Sequence, residues 1–304
     1  MNVSVRQKSV RKSAATIQVA PPPIRSTRLS PTEQRNPRSL HLDRLPVQAA
    51  VELMLREEAN VTRALLRQTD LLARAVGVVA RAFRQRGRLI YVGAGTSGRL
   101  GVLDASECPP TFRTNPNLVQ GIIAGGDVAL RQAVEGAEDD AMAGAREIRL
   151  RRVSARDVVV GIAASGTTPF VWGALREAKS RGAKTMLICF NPYLEIPRSW
   201  RPHLVLATNL GPEVLTGSTR LKAGTATKLI LNLLTTLAMV RIGKVQSNLM
   251  VDVRPSNAKL RQRAVRMMQT LTGCDADAAR EALVKQQWVI RAAVRHRQRS
   301  RRAA

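Results

Sequence analysis

The sequence predicts an α/β fold in which a parallel five-stranded sheet is flanked by helices, with additional helices at both ends. Five short apolar runs recur along the middle of the chain, and helical stretches separate most of them. The runs show no alternation of polar and apolar residues, which is typical of strands covered on both faces of a parallel sheet. The predicted strands are residues 89–92, 119–124, 158–162, 185–189 and 204–206.

Helices are predicted before, between and after these strands. Leu72, Val76 and Val79 recur at three- and four-residue steps, which indicates a buried helical stripe. The segment 222–241 is apolar almost all round, so we expect that helix to be largely buried. The predicted helices are residues 47–58, 61–84, 169–180 and 222–241, followed by two or three within 256–290.

Charge divides the chain into a central part and two ends. The formal net charge is +27, and residues 1–30 and 291–304 each contain six Lys or Arg residues and no acid. We predict a disordered basic tail over 1–30 and a second basic tail over 291–304. Such tails are either simply solvated or attract nucleic acid and anionic surfaces weakly. Residues 31–255 are predicted to form the α/β domain with its N-terminal helices, and residues 256–290 a small C-terminal helical region.

Composition also bears on the compartment. No stretch reaches the roughly 18 uninterrupted apolar residues of a membrane helix. The first 30 residues lack the apolar core of a secretory signal, although their Arg- and Ser-containing composition also fits an organellar transit peptide. Cys108, Cys189 and Cys274 stand far apart, which favours free thiols in a reducing compartment. The scattered histidines form no metal-ligand pattern. We therefore expect a cytoplasmic protein with no metal, no cofactor and no membrane association.

Two loops rich in Gly, Ser and Thr follow predicted strands and open predicted helices. Segments 93–99 and 164–169 either make plain tight turns or hold an anion, and two such loops in one sheet favour the anion. Small residues admit a phosphate close to the backbone, a helix N-terminus offers free N–H groups, and hydroxyls add donors. The candidate binding residues are Gly95, Thr96, Ser97, Arg99, Ser165, Gly166, Thr167 and Thr168.

The first loop satisfies GxGxxG but is a poor dinucleotide fingerprint. No clear acid follows the second strand to hold a ribose hydroxyl, and the chain lacks the Gly-Lys-Ser/Thr ending of a nucleotide-binding P-loop. A hydroxyl-lined pocket for a sugar phosphate therefore fits better than NAD or ATP.

Carboxylates near the loops provide candidates for acid–base chemistry. Glu107 precedes a Pro-Pro pair, interpreted as a helix stop, in an apolar stretch where a merely solvated acid would be unusual. Glu138 lies in an acidic segment after the second strand, whose members Glu135, Asp139 and Asp140 are equally typical of helix starts. Two carboxylates that converge on one pocket could act as general acid and base.

These segments together resemble the N-acetylmuramic acid 6-phosphate etherases, members of the sugar isomerase (SIS) domain superfamily. The second loop and the helix that begins near 222 depart from the family pattern, with Thr167 where Arg is common and Thr227 where Gln is usual. The resemblance runs over residues 32–272 and includes 32–37, 91–100, 103–111, 123–126, 133–139, 211–214, 217–225 and 248–253.

The resemblance implies a SIS-type, flavodoxin-like sandwich and a specific reaction. The family cleaves the lactyl ether of N-acetylmuramic acid 6-phosphate to N-acetylglucosamine 6-phosphate and D-lactate during cell-wall sugar recycling. By motif, Glu107 and Glu138 fall on the family's two acid/base positions, and Ser218 and Lys222 join the substrate-binding residues. The resemblance implies a homodimer and no metal or redox cofactor.

Other functions on the same scaffold remain open from the sequence. Animal glucokinase regulators share the domain and sense sugar phosphates without converting them, but they contain two such domains. A sugar-phosphate isomerase could also use a carboxylate base. A glycosidase with paired carboxylates would leave the phosphate loops without a role.

Overall fold

The computed structural model describes residues 24–303, with side chains up to 299. The strands are, in chain order, β1 (Arg25–Ser26), β2 (Leu89–Gly93), β3 (Val119–Ile123), β4 (Val158–Ile162), β5 (Lys184–Cys189), β6 (Leu194–Glu195) and β7 (Leu204–Ala207). Five of them form one parallel sheet in the order β3-β2-β4-β5-β7, whereas β1 pairs with β6 antiparallel. The five predicted strands and their parallel arrangement are confirmed.

The longer helices occupy most of the remaining described chain. The boundary between the first two helices differs from the prediction, because α1 continues through residues 59 and 60 and ends only at Leu66. Short 3-10 helices are Pro31–Glu33, Pro37–Ser39, Leu42–Arg44, Gly126–Leu130 and Ala137–Asp139. The α-helices are α1 (Val47–Leu66), α2 (Thr69–Arg84), α3 (Gly95–Phe112), α4 (Ala141–Leu150), α5 (Pro169–Ser180), α6 (Lys222–Arg241), α7 (Ala258–Thr272), α8 (Ala276–Lys285) and α9 (Ile290–Ala303).

The sheet is covered on both faces, as its unbroken apolar strands predict. Alternate residues of β2 point to opposite layers. Leu89 and Tyr91 pack in the layer built by α2, α3 and α6, whereas Ile90 and Val92 pack in the layer of α4 and α5. Two helical layers around a parallel sheet leave the loops at the carboxyl ends of the strands free to carry a site.

Helix α6 belongs to the core of the first layer. Among the described residues it is the one helix long and apolar enough, by length and composition, to cross a membrane. Ile230, Leu231 and Leu234 are fully buried against the sheet layer. The expectation of a largely buried helix over 222–241 is confirmed, with the same bounds.

Helix α3 is longer than the sequence indicated. Pro109 and Pro110 lie inside it, and it ends at Phe112, with Arg113 in the left-handed conformation as its C-cap. The interpretation of the proline pair as a stop was therefore wrong. Each proline removes a backbone donor, but helix packing compensates here, since Cys108 and Phe112 are buried in the core on either side of the pair.

The C-terminal helices form a separate apolar cluster that extends beyond the predicted boundary at 290. Residues 291–303 belong to α9 rather than to an extended tail, and Ala293 and Val294 are buried with Ile290 in this cluster. Arg291 fastens the helix, because its Nε lies 2.8 Å from Asp252 Oδ1. At the other end, residues 1–23 of the tail predicted over 1–30 lie outside the described residues. The described part of that tail, residues 24–30, includes β1 and the buried Ser30.

Candidate active site

The two Gly/Ser/Thr loops lie side by side at the point where the strand order reverses. Strand β2 is followed in the chain by its neighbour β3 on one side, and the chain then returns to β4 on the other side of β2. In open α/β sheets this reversal creates a crevice at the carboxyl ends of the two central strands. The loops that follow β2 and β4 are those predicted to hold phosphate, so the topology brings them together.

The first loop makes an unusually tight connection between β2 and α3. A Cβ built on Gly98 would lie 2.6 Å from Ile123 Cγ1 and 2.8 Å from the Gly93 carbonyl oxygen, so only glycine lets α3 approach the sheet this closely. Thr96 and Ser97 lie in the first turn of the helix. Within residues 24–303, no side chain caps the start of α3. Its first N–H groups therefore remain free for an anion.

Three hydrogen bonds hold the second loop, which lies between β4 and α5. Ser165 Oγ and Thr167 Oγ1 are 2.9 Å apart, and Trp172 Nε1 donates to the Gly166 carbonyl at 2.7 Å. The fully buried Asn191 donates through Nδ2 to the Ser165 carbonyl at 3.2 Å. Thr168 is the N-cap residue of α5, and no described side chain caps that helix either. The hydroxyls of this loop and a second uncapped helix start lie at the same crevice end of the sheet.

Ser218 lies in the turn that leads into α6. It is half-buried there, and its N–H donates to the Leu215 carbonyl. In the first turn of the helix, a Cβ built on Gly224 would lie 3.6 Å from Thr96 Cγ2. In contrast to α3 and α5, the first backbone N–H groups of α6 already have a hydrogen-bond partner in the protein. Glu213 accepts from the backbone N–H groups of Lys222 and Ala223 at 3.0 and 2.9 Å.

Lys222 does not point into the crevice. Its ammonium is buried and donates to Glu57 Oε2 at 2.9 Å and to the carbonyl oxygens of Leu210 and Pro212 at 3.1 and 2.6 Å. The residue expected to bind substrate instead ties α6 to α1 and to the loop before Glu213. The sequence around Lys222 does not reveal its partner, because a lysine after a Ser/Thr-rich turn can bind either a phosphate or a buried carboxylate.

Arg99 connects α3 to the segment that carries Glu138. Its Nε and one terminal nitrogen donate to the carbonyl oxygens of Leu130 and Gln132 at 3.2 and 3.1 Å. The guanidinium thus holds the loop that follows β3 against the first turns of α3. Glu138 itself lies in the 3-10 helix Ala137–Asp139, exposed, beyond the carboxyl end of β3.

The neighbouring acid Asp140 has a structural role. Its carboxylate accepts from the Ala143 N–H at 2.8 Å and caps α4. The pattern-based alternative, that acids of this segment favour a helix start, is therefore correct for Asp140. The side chain of Glu138 makes no hydrogen bond or ion pair with any residue that the structure describes.

Glu107 lies far from both loops of its own chain. It is twelve residues after the start of α3, which is about 18 Å along the helix axis. The helix runs back along the sheet, so that Gly98 packs beside Ile123 at the carboxyl end of β3 and Val102 beside Gly121 at its middle. Glu107 therefore lies beyond the middle of β3 toward its amino end. The side chain is exposed and has no partner in the described part of the chain.

Asp104, one turn before Glu107, is a buried acid that the sequence pattern did not assign to the site. Its Oδ2 accepts from the Tyr91 hydroxyl at 3.0 Å and its Oδ1 from the Thr235 hydroxyl at 3.3 Å, with Lys228 Nζ 3.9 Å away. Burial raises the pKa of Asp104, against the lowering effect of these partners. The sequence contains a pattern that predicts this burial. Asp104 lies three or four residues from Gly101 and Cys108, which places it on the buried face of α3.

Cys108, Cys189 and Cys274 are all free and buried, as free thiols were predicted. Burial raises the pKa of Cys108 and of Cys189 to about 12, so both remain protonated near neutral pH. Over residues 24–303, no three His, Cys, Asp or Glu side chains gather as a metal site would require.

Two family profiles match parts of the chain. Residues 71–179 match the glucokinase regulatory protein N-terminal SIS domain, and residues 247–301 match the C-terminal lid domain of glucokinase regulatory protein. Among solved structures, a Bacteroides fragilis protein assigned as a phosphosugar isomerase involved in capsule formation covers 67% of this chain and 95% of its own, with a TM-score of 0.50 and 21% identity. That likeness shows the fold.

Curated relatives are much more similar in sequence. The N-acetylmuramic acid 6-phosphate etherase of Gloeobacter violaceus is 58% identical over 82% of this chain and 80% of its own length. The etherase of Cutibacterium acnes is 53% identical over 84% of each chain, and that of Shouchella clausii 48% over 86% of this chain and 88% of its own. With this identity over most of both chains, the protein belongs to the family of N-acetylmuramic acid 6-phosphate etherases.

Proposed function

We propose that this chain hydrolyses the lactyl ether of N-acetylmuramic acid 6-phosphate, releasing D-lactate and N-acetylglucosamine 6-phosphate, in the cytoplasm during recycling of cell-wall sugars. The observation that carries the proposal is the 58% identity to an etherase over 82% of the chain. Two exposed glutamates without protein partners in the described part of the chain, and two uncapped helix starts beside a hydroxyl-lined crevice, support it.

The phosphate group of the sugar binds to the loops at the starts of α3 and α5. These starts offer free N–H groups, whereas the start of α6 is already taken by Glu213. Fixing the phosphate at one end of the sugar orients the reacting carbons at the other, so that binding energy is used for positioning. Hydroxyl donors around the phosphate come from Thr96, Ser97, Ser165, Thr167 and Thr168.

The two glutamates carry out the proton transfers. With the sugar ring open, one carboxylate removes the proton on carbon 2, which the neighbouring aldehyde makes acidic. The bond from carbon 3 to the ether oxygen then breaks, and lactate leaves with a proton from the other carboxyl group. Water adds to carbon 3 of the unsaturated aldehyde, and carbon 2 regains a proton. Either Glu107 or Glu138 can be the base, because the surroundings of the bound substrate will separate their pKa values.

One chain does not bring all these groups to one place. The phosphate loops and Glu138 lie at the carboxyl end of the sheet, and Glu107 is about 18 Å further along α3. A single hexose 6-phosphate does not span that distance while in contact with both. We therefore include in the proposal that Glu107 of one chain acts on the sugar held by the loops and Glu138 of a second chain.

A homodimer also accounts for apolar surface on α1, α2 and α6. In the first half of α1, Val47, Val51 and Leu55 are 81%, 52% and 66% exposed and follow each other at four-residue steps. Exposed apolar patches of this kind are typical of subunit interfaces. Between the three helices lies a cleft of about 490 Å³ with an almost wholly apolar lining that includes Leu65, Leu66, Leu72, Leu229, Leu233 and Leu237.

The direct experiment is incubation of the purified protein with N-acetylmuramic acid 6-phosphate and measurement of D-lactate. Release of lactate with turnover supports the proposal. The matches to glucokinase regulatory protein domains favour a second candidate, a regulator that binds sugar phosphates without converting them. Saturable binding of the sugar phosphate with no lactate over many hours would favour that candidate and contradict the etherase.

A further inference from the structure

The first described residues of the chain cross the carboxyl end of the parallel sheet. Strand β1 pairs antiparallel with β6, which lies in the connection that follows β5. Further along, the Gly217 N–H donates to the Thr32 carbonyl at 2.9 Å, and Gly217 belongs to the turn that carries Ser218. We call residues 25–34 the N-terminal strap. It connects the loop after β5 with the turn before α6, and the second phosphate loop lies beside the first of these.

A buried asparagine links the strap to the second phosphate loop. Asn191 lies in the loop after β5 and is completely buried. Its Nδ2 donates to Ser26 Oγ at 3.1 Å and to the Ser165 carbonyl at 3.2 Å. Its Oδ1 accepts from the Tyr193 N–H at 3.0 Å, which fixes the orientation of the amide group. One side chain therefore joins β1 to the loop between β4 and α5.

Strand β6 contacts the same loop by packing. A Cβ built on Gly166 would overlap Leu194 Cδ1, so the leucine lies directly against the loop backbone. Leu194 stands opposite Ser26 in the β1–β6 pair, and both Leu194 and Ile24 pack on the core layer of α4 and α5. A displacement of β1 would therefore disturb the hydrogen-bonded and the packed contact of the loop together.

The strap is attached along its length by more than the strand pair. The Thr27 N–H donates to the Tyr193 carbonyl at 3.0 Å. Further on, Ser30 and Thr32 are buried, and their hydroxyl oxygens are 2.9 Å apart. A pair of two-residue strands is not stable alone. The contacts with Asn191, Tyr193 and the turn before α6 are therefore what hold the strap across the end of the sheet.

We propose that the N-terminal strap positions the second phosphate loop for the phosphate group of the substrate, and that Asn191 is the positioning residue through which it acts. The inference rests on the proposed function, since it takes this loop as the phosphate site. A loop whose Ser165 peptide is not held must be ordered when the phosphate binds, and this ordering lowers the affinity. The segment 25–30, which composition assigned to a basic tail, is thus required for full substrate affinity.

The test is calorimetric titration of the full chain with N-acetylglucosamine 6-phosphate, which carries the phosphate group and needs no turnover. Ser26→Ala removes the hydroxyl that contacts Asn191, Thr27→Pro removes the N–H that donates to Tyr193, and Asn191→Ala removes the link itself. The matched control is Ser180→Ala, an exposed serine at the far end of α5 whose hydroxyl also donates to a backbone carbonyl. Thermal unfolding of each variant separates lost affinity from lost fold.

We expect binding to become about tenfold weaker in Asn191→Ala and about three- to fivefold weaker in Ser26→Ala and in Thr27→Pro. The unfolding temperatures of the two strap variants should stay close to the wild type, and Ser180→Ala should bind normally. The double variant Ser26→Ala/Asn191→Ala should bind no more weakly than Asn191→Ala, because both changes remove the same link.

Wild-type affinity in both Ser26→Ala and Thr27→Pro would overturn the inference, and these two variants decide it if Asn191→Ala does not fold. Losses that add up in the double variant would overturn the role of Asn191. The proposed function is tested separately, by lactate release from the wild type. A wild type that binds the sugar phosphate without releasing lactate contradicts the etherase and not the strap, whereas a wild type without measurable binding contradicts the strap as well.

Discussion

Glu57 and Lys222 form a buried ion pair that joins two helices 165 residues apart in sequence, with 2.9 Å between Glu57 Oε2 and Lys222 Nζ. Both side chains are almost completely removed from solvent, at 3% and 2% exposure. Asn36 and Arg38 contact the same carboxylate, at 3.0 and 2.7 Å. The pair therefore fixes the first residue of α6, and with it the turn that carries Ser218, to α1 and the N-terminal segment.

Removal of one member of this pair is expected to be costly. Lys222→Met leaves the Glu57 carboxylate without its buried cation, since the remaining cation, Arg38, is 67% exposed. Loss of one member of a buried pair typically costs about 3–5 kcal/mol of unfolding free energy. The measurement is urea denaturation. The matched control is Glu52→Gln, which breaks the exposed Glu52–Arg56 pair on the same helix as Glu57 and should cost less than about 1 kcal/mol. Equal small effects for both variants would show that the buried pair contributes little.

The pair also predicts how stability depends on pH. Burial opposes ionisation of Glu57, but the hydrogen bond and charge of Lys222, with Asn36 and Arg38, hold its pKa below the usual 4.5. Because the folded-state pKa is depressed, this stabilisation is present above about pH 4.5 and lost as the pH falls through the folded-state value. The difference in unfolding free energy between the wild type and Glu57→Gln should shrink from pH 7 to about pH 3. A difference that stays constant would contradict the assignment.

The proposed acid–base roles predict large losses of turnover without loss of fold. Glu107→Gln and Glu138→Gln should each reduce lactate release by about 10²–10⁴-fold, the usual contribution of a general acid or base. Both side chains are exposed, so circular dichroism and thermal unfolding should stay close to the wild type. Glu195→Gln, an exposed acid on β6, is the control and should keep full activity. Near-normal turnover in either glutamate variant would remove that residue from the mechanism.

The assignment of the loops predicts a strict need for the phosphate group. N-acetylmuramic acid without its 6-phosphate should be a very poor substrate, because the free N–H groups and hydroxyls at the starts of α3 and α5 would have nothing to hold. Ser165→Ala/Thr167→Val should lower kcat/KM for the phosphorylated sugar and leave the residual rate on the unphosphorylated one unchanged. Comparable kcat/KM values for the two sugars in the wild type would place the phosphate elsewhere.

Local pattern was enough to predict much of the fold. The five strands followed from unbroken apolar runs, and α5 and α6 were predicted with the bounds they have. The two candidate phosphate loops followed from Gly, Ser and Thr at strand ends. Their adjacency required the strand order β3-β2-β4, which places β2 beside β4 although β3 intervenes in the chain.

The features that were not predicted depend on packing between distant segments. The proline pair at 109 and 110 indicated a helix stop, but core contacts carry α3 to Phe112. The direction of Lys222 depends on a carboxylate supplied by α1, which no local pattern reveals. Helix α9 was predicted as a basic tail because arginines dominate its sequence and only a few of its positions are buried, namely Ile290, Ala293 and Val294.

The central claim is that Glu107 and Glu138 act in one site but come from two chains. Glu107→Gln and Glu138→Gln, each inactive alone, can be mixed, unfolded together and refolded so that mixed dimers form. In a mixed dimer, one site then combines the intact Glu138 of the first chain with the intact Glu107 of the second. Statistical mixing should restore about one quarter of the wild-type lactate release.

The same mixture distinguishes the alternative directly. If both glutamates of a site belonged to the same chain, every site in the mixed dimers would lack one of them, and activity would stay at the level of the single variants. A control mixture of Glu107→Gln with Glu107→Ala must remain inactive in either case. Lactate release of about one quarter of the wild type in the first mixture is the result predicted here, and no recovery would contradict the shared site.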